Sequence, residues 1–122
     1  MADVLVVEDS TTDAHAYGRM LRAHGHVVHV ASTGEEGLAL ASSLQPDVIL
    51  MDVVMPGVNG FEATRMLRRE RTTANIPVII LSTKAQDTDR IWGLRQGAID
   101  YLIKPVTRPV LLRSVDAALA DA

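Results

Sequence analysis

The chain contains no cysteine, so it has neither a disulfide framework nor thiol chemistry. An excess of positive charge is also missing. The formal net charge is -3 at pH 7, which argues against binding nucleic acid through a positive surface. No apolar stretch approaches the length that crosses a bilayer, and the first residues carry no basic leader. We therefore expect a cytoplasmic protein that neither binds nucleic acid nor inserts into a membrane.

The length and composition are those of one globular domain. The chain has 122 residues, of which 48% are hydrophobic and 22% are charged. We expect a single domain over residues 1–122. Any DNA-binding, catalytic or membrane module that works with it is then expected on another chain.

One acidic residue follows a short apolar run near the middle of the chain. The run Val48–Met51 begins soon after Pro46, and the segment closes at residues 55–57, which makes it too short for an ordinary helix. Such a run predicts a strand buried on both faces, as in a parallel sheet. Asp52 would stand at the carboxyl end of this strand, where open α/β sheets bind their ligands. The alternative is that Asp52 only starts a turn.

Four further apolar runs predict strands, at residues 4–7, 27–31, 77–81 and 100–103. Between and after them, helical spacing of apolar residues predicts helices at about residues 10–25, 33–44, 59–71, 89–96 and from 107 onward. The regular alternation indicates βαβ units and a parallel sheet with helices on both faces. The second strand is expected at an edge of this sheet.

Local signals add detail for the first three helices. Ser10 is predicted to cap the first helix, and Thr33 with Glu36 has the spacing of a capping box at the second. In the third helix, Phe61 and Leu67 are expected to face the core and the arginines to face solvent.

The fourth helix carries the chain's one tryptophan. Ile91, Leu94 and Ala98 are predicted to form its inward stripe, which leaves Trp92 about a quarter-turn away and partly exposed. Trp92 is then either a contact for a partner protein or a half-buried packing residue.

Because parallel strands share a direction, their carboxyl ends meet at one edge of the sheet. That edge is expected to collect Glu8, Asp9, Asp52, Ser82, Thr83 and Lys104. Three acids together would repel one another, and Mg²⁺, which prefers oxygen ligands and is often shared with a phosphate, would relieve the repulsion. Lys104, the Ser82 hydroxyl and the Thr83 amide suit phosphate oxygens. The group therefore predicts a phosphoryl group held on Asp52, whose carboxylate is the nucleophile.

These residues also resemble those of a known family, the receiver domain of two-component response regulators. The resemblance covers essentially the whole chain and is carried by Glu8-Asp9, Asp52, Met55-Pro56, Gly60, Ser82, Tyr101 and Lys104-Pro105. It implies a flavodoxin-like α/β fold, a doubly wound five-stranded parallel sheet in the order 2-1-3-4-5 with helices on both faces.

The resemblance implies a role for each site residue. Asp52 would accept phosphate from a sensor histidine kinase, and Lys104 would pair with the phosphoryl group. Mg²⁺ would be held by Asp9, Asp52 and the backbone carbonyl of Val54, with Glu8 acting through water.

A conformational switch is implied as well. Ser82 would move to bond a phosphoryl oxygen, and Tyr101 would swing inward to fill the space that it leaves. Many receivers have Ala or Gly after the switch hydroxyl, whereas this chain has Thr83, whose branched side chain would narrow access to Asp52. The rate of dephosphorylation is left open.

A closer resemblance is carried by residues 88–98, together with residues 53–57 and 59–61. These segments are similar to the PilH group, stand-alone receivers of the type IV pilus chemosensory system that regulate twitching motility. The similarity implies a chemotaxis-type signalling protein rather than an enzyme, one that promotes only its own phosphorylation and dephosphorylation. It would bind a downstream protein target or act as a phosphate sink, as a monomer or a weak dimer.

Other functions of this fold class fit the sequence less well. A phosphatase of the haloacid dehalogenase type would have a second acid where this chain has Val54. A nucleotide or flavin module would need a Gly-rich or hydroxyl-rich loop where Glu8 and Asp9 stand. A receiver-like adaptor that works without phosphorylation is the alternative that stays open.

Three histidines, His24, His26 and His29, surround the start of the second strand. They fall at the edge opposite to the acidic residues. Their position in the sequence therefore argues against a specific metal site.

Overall fold

The structure, a computed structural model, describes residues 1–120, and within them five strands alternate with five helices. The strands are β1 (Asp3–Val7), β2 (Val27–Ala31), β3 (Val48–Asp52), β4 (Val78–Ser82) and β5 (Asp100–Ile103). The helices are α1 (Thr11–Ala23), α2 (Gly34–Leu44), α3 (Gly60–Arg69), α4 (Asp87–Arg95) and α5 (Arg108–Ala120). None of these helices is both long enough and apolar enough to cross a bilayer.

All strands pair in parallel, in the order β2-β1-β3-β4-β5. The predicted flavodoxin-like fold and the edge position of the second strand are therefore confirmed. Every residue of β3 and β4 is buried, because helices cover both faces of the central strands. On β2, by contrast, Val27 and Val30 are exposed, as the edge position allows.

Alternate side chains of the central strands build two separate cores. On one face, Leu5 belongs to a cluster that includes Leu67 of α3. On the other face, Val6 packs in a cluster with Leu21 of α1 and Leu111 of α5. This two-sided burial explains why the strands appear in the sequence as unbroken apolar runs.

The starts of the first two helices follow the predicted chemistry with one change. Ser10 caps α1 by accepting a hydrogen bond from a backbone amide in the first turn. Thr33 caps α2 in the same way, with its hydroxyl 3.0 Å from the amide of Glu36. The Glu36 carboxylate, however, accepts from the amide of Ser32 at 2.8 Å instead of that of Thr33. The return hydrogen bond of the capping box, from a backbone amide to the Glu36 carboxylate, therefore comes from the residue before the N-cap.

The predicted inward stripe of the fourth helix is wrong for two of its three members, while Ala98, which follows the helix, is buried as predicted. Ile91 is 50% exposed and Leu94 is 37% exposed, and the buried residue of α4 is Gly93. A Cβ at Gly93 would stand 2.9 Å from Cδ2 of Tyr101, so the helix backbone packs directly on the ring. Trp92 is 48% exposed, in line with the prediction of a partly exposed side chain. The helix also begins two residues before its predicted start.

The arginines of the third helix do not all face solvent, as the sequence had suggested. Arg68 is partly buried and turns back toward the chain. Its Nε donates to the carbonyl of Gly97 at 2.8 Å, and its Nη1 donates to the carbonyl of Ala74. The side chain thus satisfies backbone acceptors after α3 and after α4. The helix itself ends at Arg69, earlier than the predicted Arg71.

Candidate functional site

The carboxyl edge of the sheet gathers three of the predicted acids. Glu8 and Asp52 are 4% and 7% exposed, while Asp9 is exposed. One carboxylate oxygen from each of the three lies within 4.8 Å of the others. Glu8 is held in place by the amide of Ser10, which donates to its Oε2 at 3.1 Å. The arrangement is a compact cluster of negative charge with one solvent-facing member.

Lys104 enters this cluster from the end of β5. Its Nζ lies 2.5 Å from Oε1 of Glu8, 2.9 Å from Oδ2 of Asp13 and 3.3 Å from Oδ1 of Asp52. The lysine side chain is only 9% exposed, so its charge acts in a shielded environment. Asp13 is a site residue that the sequence analysis missed. It lies in the first turn of α1, and its sequence position gives no sign that a lysine from β5 would reach it.

The ionisation of these groups reflects the imbalance of charge. Burial raises the pKa of Glu8 to about 7. The neighbouring Asp52 also raises this pKa, whereas the hydrogen bond from Lys104 lowers it. Burial alone would lower the pKa of Lys104. The hydrogen bonds to Glu8 and Asp13 and the charge of Asp52 outweigh that effect and hold its pKa above the ordinary value. Lys104 is therefore firmly protonated, and Glu8 is the acid that resists ionisation.

The donor set suits Mg²⁺. Four carboxylates face one ammonium group, so the cluster still carries excess negative charge. Within residues 1–120, Asp9 has no ion-pair partner, although its carboxylate lies beside those of Glu8 and Asp52. A hard divalent cation bound by carboxylate oxygens would fit this unpaired group.

The loop after β3 brings the backbone close to the acidic cluster. Gly60 opens α3, and its amide donates to the carbonyl of Val53 at 3.0 Å. A Cβ at Gly60 would overlap the carbonyl oxygen of Asp52, so only glycine fits there. Val54, predicted to offer its carbonyl to the metal, lies in this loop with its side chain 57% exposed.

The predicted switch residues lie on neighbouring strands, Ser82 at the end of β4 and Tyr101 within β5. Ser82 is fully buried, and its Oγ accepts from the amide of Lys84 at 3.0 Å, while Thr83 is exposed. Tyr101 is 2% exposed, and its hydroxyl donates to the carbonyl of Lys84 at 2.8 Å. Burial raises the pKa of Tyr101. The Tyr101 side chain thus lies in the inward position while Ser82 bonds the amide of Lys84.

Comparison with known proteins identifies the family. The response regulator receiver domain matches residues 4–116. The chain belongs to this family. This receiver domain is 53% identical over 120 residues to Protein PilH of Pseudomonas aeruginosa, and the match covers 98% of this chain and 99% of that protein. Two transcriptional regulators that it also matches are longer, and the match spans 52% and 49% of their lengths.

Solved receiver structures share the whole fold. A putative response regulator from Chloroflexus aurantiacus superimposes with a TM-score of 0.94 at 32% identity, and 98% of each chain is covered. The receiver domain of the sensor histidine kinase PA1611 from Pseudomonas aeruginosa has a TM-score of 0.91 at 32% identity, with 98% of each chain covered. That structure has a magnesium ion coordinated in its active site cleft. Receiver domains bind Mg²⁺ in the active site and are phosphorylated by histidine kinases, and they do not form an ordinary enzyme family.

Proposed function

We propose that this receiver accepts a phosphoryl group on Asp52 from a sensor histidine kinase. The observation that carries the proposal is the buried Asp52 carboxylate with the Lys104 ammonium 3.3 Å away, at the carboxyl edge of the sheet. In the transfer, an oxygen of Asp52 forms a bond to phosphorus while the phosphorus–nitrogen bond of the kinase phosphohistidine breaks. The histidine nitrogen keeps the electron pair and takes a proton from solvent.

Lys104 is the residue whose partners must change in this step. It now bonds Glu8 and Asp13 as well as facing Asp52. A phosphoryl group on Asp52 would present new anionic oxygens within reach of the same ammonium group. We infer that Lys104 then turns from Glu8 toward these oxygens, and that the protein holds the lysine in place before transfer.

The acids of the cluster would hold Mg²⁺. Asp9 and Asp52 would bind it directly with the carbonyl of Val54, and Glu8 would act through water. When bound, the cation supplies positive charge that offsets the carboxylates and the transferring oxygens.

The switch would act through a shift between two conformers. Asp52 pairs with Leu81 on the neighbouring strand, and Ser82 is the residue after Leu81. From this position the Ser82 hydroxyl would move to bond a phosphoryl oxygen on Asp52. The Thr83 amide would serve as a second donor. Such bonds would favour the conformer with Tyr101 buried and would remodel the face formed by α4, β5 and α5.

The output is proposed to be contact with another protein. Trp92, Ile91 and Leu94 expose apolar area on α4, and Ile103 exposes more at the end of β5. Such a patch is typical of a binding surface. By similarity to PilH, we propose a single receiver domain of the cytoplasm, monomeric or weakly dimeric, in pilus-linked or chemotaxis-type control of motility. It would bind a downstream target or drain phosphate from a shared kinase.

A second function is favoured by one observation. Tyr101 is buried and bonded to the carbonyl of Lys84 while the Oγ of Ser82 still accepts from the amide of Lys84, so burial of the ring does not require Ser82 to move. A receiver already in this conformer would bind its target without phosphorylation, as an adaptor.

One experiment tests both functions. The native chain, Asp52→Asn and the control Asp47→Asn are incubated with Mg²⁺ and acetyl phosphate, and intact mass and Trp92 fluorescence are followed. Asp47 is an exposed aspartate next to the start of the same strand. We expect an alkali-labile gain of one phosphoryl group in the native chain and in Asp47→Asn. An equal gain in Asp52→Asn would contradict the assignment, and no gain in any of the three proteins would favour the adaptor.

A further inference from the structure

A second group of potential metal ligands lies at the opposite edge of the sheet. His24, His26 and Asp116 each offer one ligand atom, and these atoms lie within 4.8 Å of one another. His24 is the residue after α1, His26 directly precedes β2, and Asp116 belongs to α5. Gly25, between the two histidines, has a φ of +89°, which lets the chain turn sharply enough to place both rings side by side.

His26 is the fixed member of this group. It is 9% exposed, and its Nδ1 accepts a hydrogen bond from the amide of Ala2 at 3.2 Å. Its Nε2 is buried and has no hydrogen-bond partner among residues 1–120. Buried polar atoms almost always have a partner, so a ring nitrogen left without one in a member of this ligand group needs an explanation.

The other two members can move. The His24 and Asp116 side chains are 47% and 58% exposed, and Nε2 of His24 lies 3.9 Å from Oδ2 of Asp116, too far for a hydrogen bond. The rings of His24 and His26 have centroids 5.7 Å apart. A tetrahedral ion with bonds of about 2.0–2.1 Å needs its ligand atoms roughly 3.3 Å apart. The ligand atoms, which lie within 4.8 Å of one another, therefore have to approach by up to about 1.5 Å, which rotation of two exposed side chains can supply.

We propose that His24, His26 and Asp116 bind a divalent transition metal ion, with Zn²⁺ as the best fit. Two imidazole nitrogens and one carboxylate oxygen are a usual zinc donor set, and water would complete the tetrahedron. Mg²⁺ would not compete here, because it prefers an octahedron of oxygens. His29, the third histidine of this region, lies 3.5 Å from Asp3 and is not part of the group.

The proposal requires one proton to move. Because Nδ1 of His26 accepts from Ala2, the proton of the neutral ring is on Nε2. When the metal binds Nε2, that nitrogen gives up its proton and Nδ1 carries one instead, so the charge of the ring does not change. The amide of Ala2 must then give up its bond to the ring. Metal binding therefore changes the tautomer of His26, which can be observed directly.

Titration with Zn²⁺ in the presence of excess Mg²⁺, which occupies the acidic cluster, tests the site. The native chain is compared with His24→Ala and Asp116→Asn, and with His15→Ala as a control, since His15 is an exposed histidine on α1. A chromogenic chelator reports the affinity. We expect one Zn²⁺ per native chain. Loss of a ligand should weaken binding by roughly tenfold or more, since even indirect partners of a metal are worth that much, while His15→Ala should bind as the native chain does.

A second measurement follows the native protein alone. Long-range ¹H–¹⁵N NMR spectra identify which nitrogen of His26 carries the proton. We expect it on Nε2 without Zn²⁺ and on Nδ1 with one equivalent of Zn²⁺. The proposal is overturned if the native chain shows no saturable binding, if His24→Ala and Asp116→Asn bind as tightly as the native chain, or if the His26 tautomer does not change.

Discussion

The free energy of unfolding should fall as pH rises from acidic to alkaline values, because Glu8 loses its proton. Replacing Glu8 with glutamine should remove much of this fall. In the folded chain, burial raises the pKa of Glu8 to about 7 from a value of 4.5. Because the folded pKa is the higher one, the folded state holds this proton more tightly than the unfolded state does. The resulting stability is fully present below pH 4.5 and is lost as pH rises through about 7.

The size of the effect follows from the two pKa values. A difference of about 2.5 units at roughly 1.4 kcal/mol per unit gives about 3 kcal/mol over the whole range. Between about pH 5.5 and about pH 8, the part that can be measured comfortably, the loss is about 2 kcal/mol. Glu8 is 4% exposed, so solvent screening does not reduce this figure by much. Burial lowers the pKa of His26, which acts in the opposite direction, so the comparison between variants is what isolates Glu8.

Urea denaturation followed by circular dichroism measures the free energy of unfolding at both pH values, with a chelator present to remove Mg²⁺. The native chain is compared with Glu8→Gln and with Glu70→Gln, a control at an exposed glutamate. The native chain and Glu70→Gln should lose about 2 kcal/mol more than Glu8→Gln does. Saturating Mg²⁺ should oppose the loss, because the cation binds ionised carboxylates. The same pH dependence in all three proteins would refute the reasoning.

Three further substitutions test close packing and one buried hydrogen bond in the fold. Gly93→Ala should displace Tyr101 from its buried position, because the new Cβ would stand 2.9 Å from the ring; an unchanged NMR environment of the ring would contradict this. Gly60→Ala should lower the free energy of unfolding by about 1 to 3 kcal/mol, because its Cβ would overlap the Asp52 carbonyl; equal midpoints in urea would show that the loop adapts freely. Thr73→Val should cost about 1 kcal/mol, since the buried Thr73 hydroxyl donates to a carbonyl of α3 at 2.7 Å, and thermal unfolding would detect this loss.

The strands were predictable because burial on both faces is visible in the sequence itself. The runs Val48–Met51 and 77–81 contain no polar residue, and proline stands before or at the start of each. Parallel strands covered by helices require this composition, so the parallel sheet followed from it, whereas the strand order was implied by the resemblance to receiver domains. The acidic edge was predictable for the same reason, since Asp52 could only lie where its strand ended.

The packing of α4 was not predictable from hydrophobicity. The residue that faces the core is Gly93, which has no side chain and therefore gives no apolar signal. Ile91 and Leu94 carry that signal and yet are exposed, because the helix approaches Tyr101 through its backbone. A pattern that counts side chains identifies the wrong face when the contact is made by a glycine.

Contacts between residues far apart in the chain could not be predicted from the sequence either. Asp13 joins the site only because α1 packs where Lys104 can reach its first turn. Asp116 meets His24 and His26 only because α5 lies beside the end of α1. Each contact joins residues far apart in the chain, and neither has a spacing rule that would predict it.

The reach of Lys104 has a consequence for how the protein is made. The lysine follows Glu8 by 96 positions, and it is the last member of the site to leave the ribosome. A nascent chain, or one cut before Lys104, contains the carboxylates without the ammonium that balances them. Copies that end before Lys104 therefore contain the acids of the site but cannot form its ion pairs.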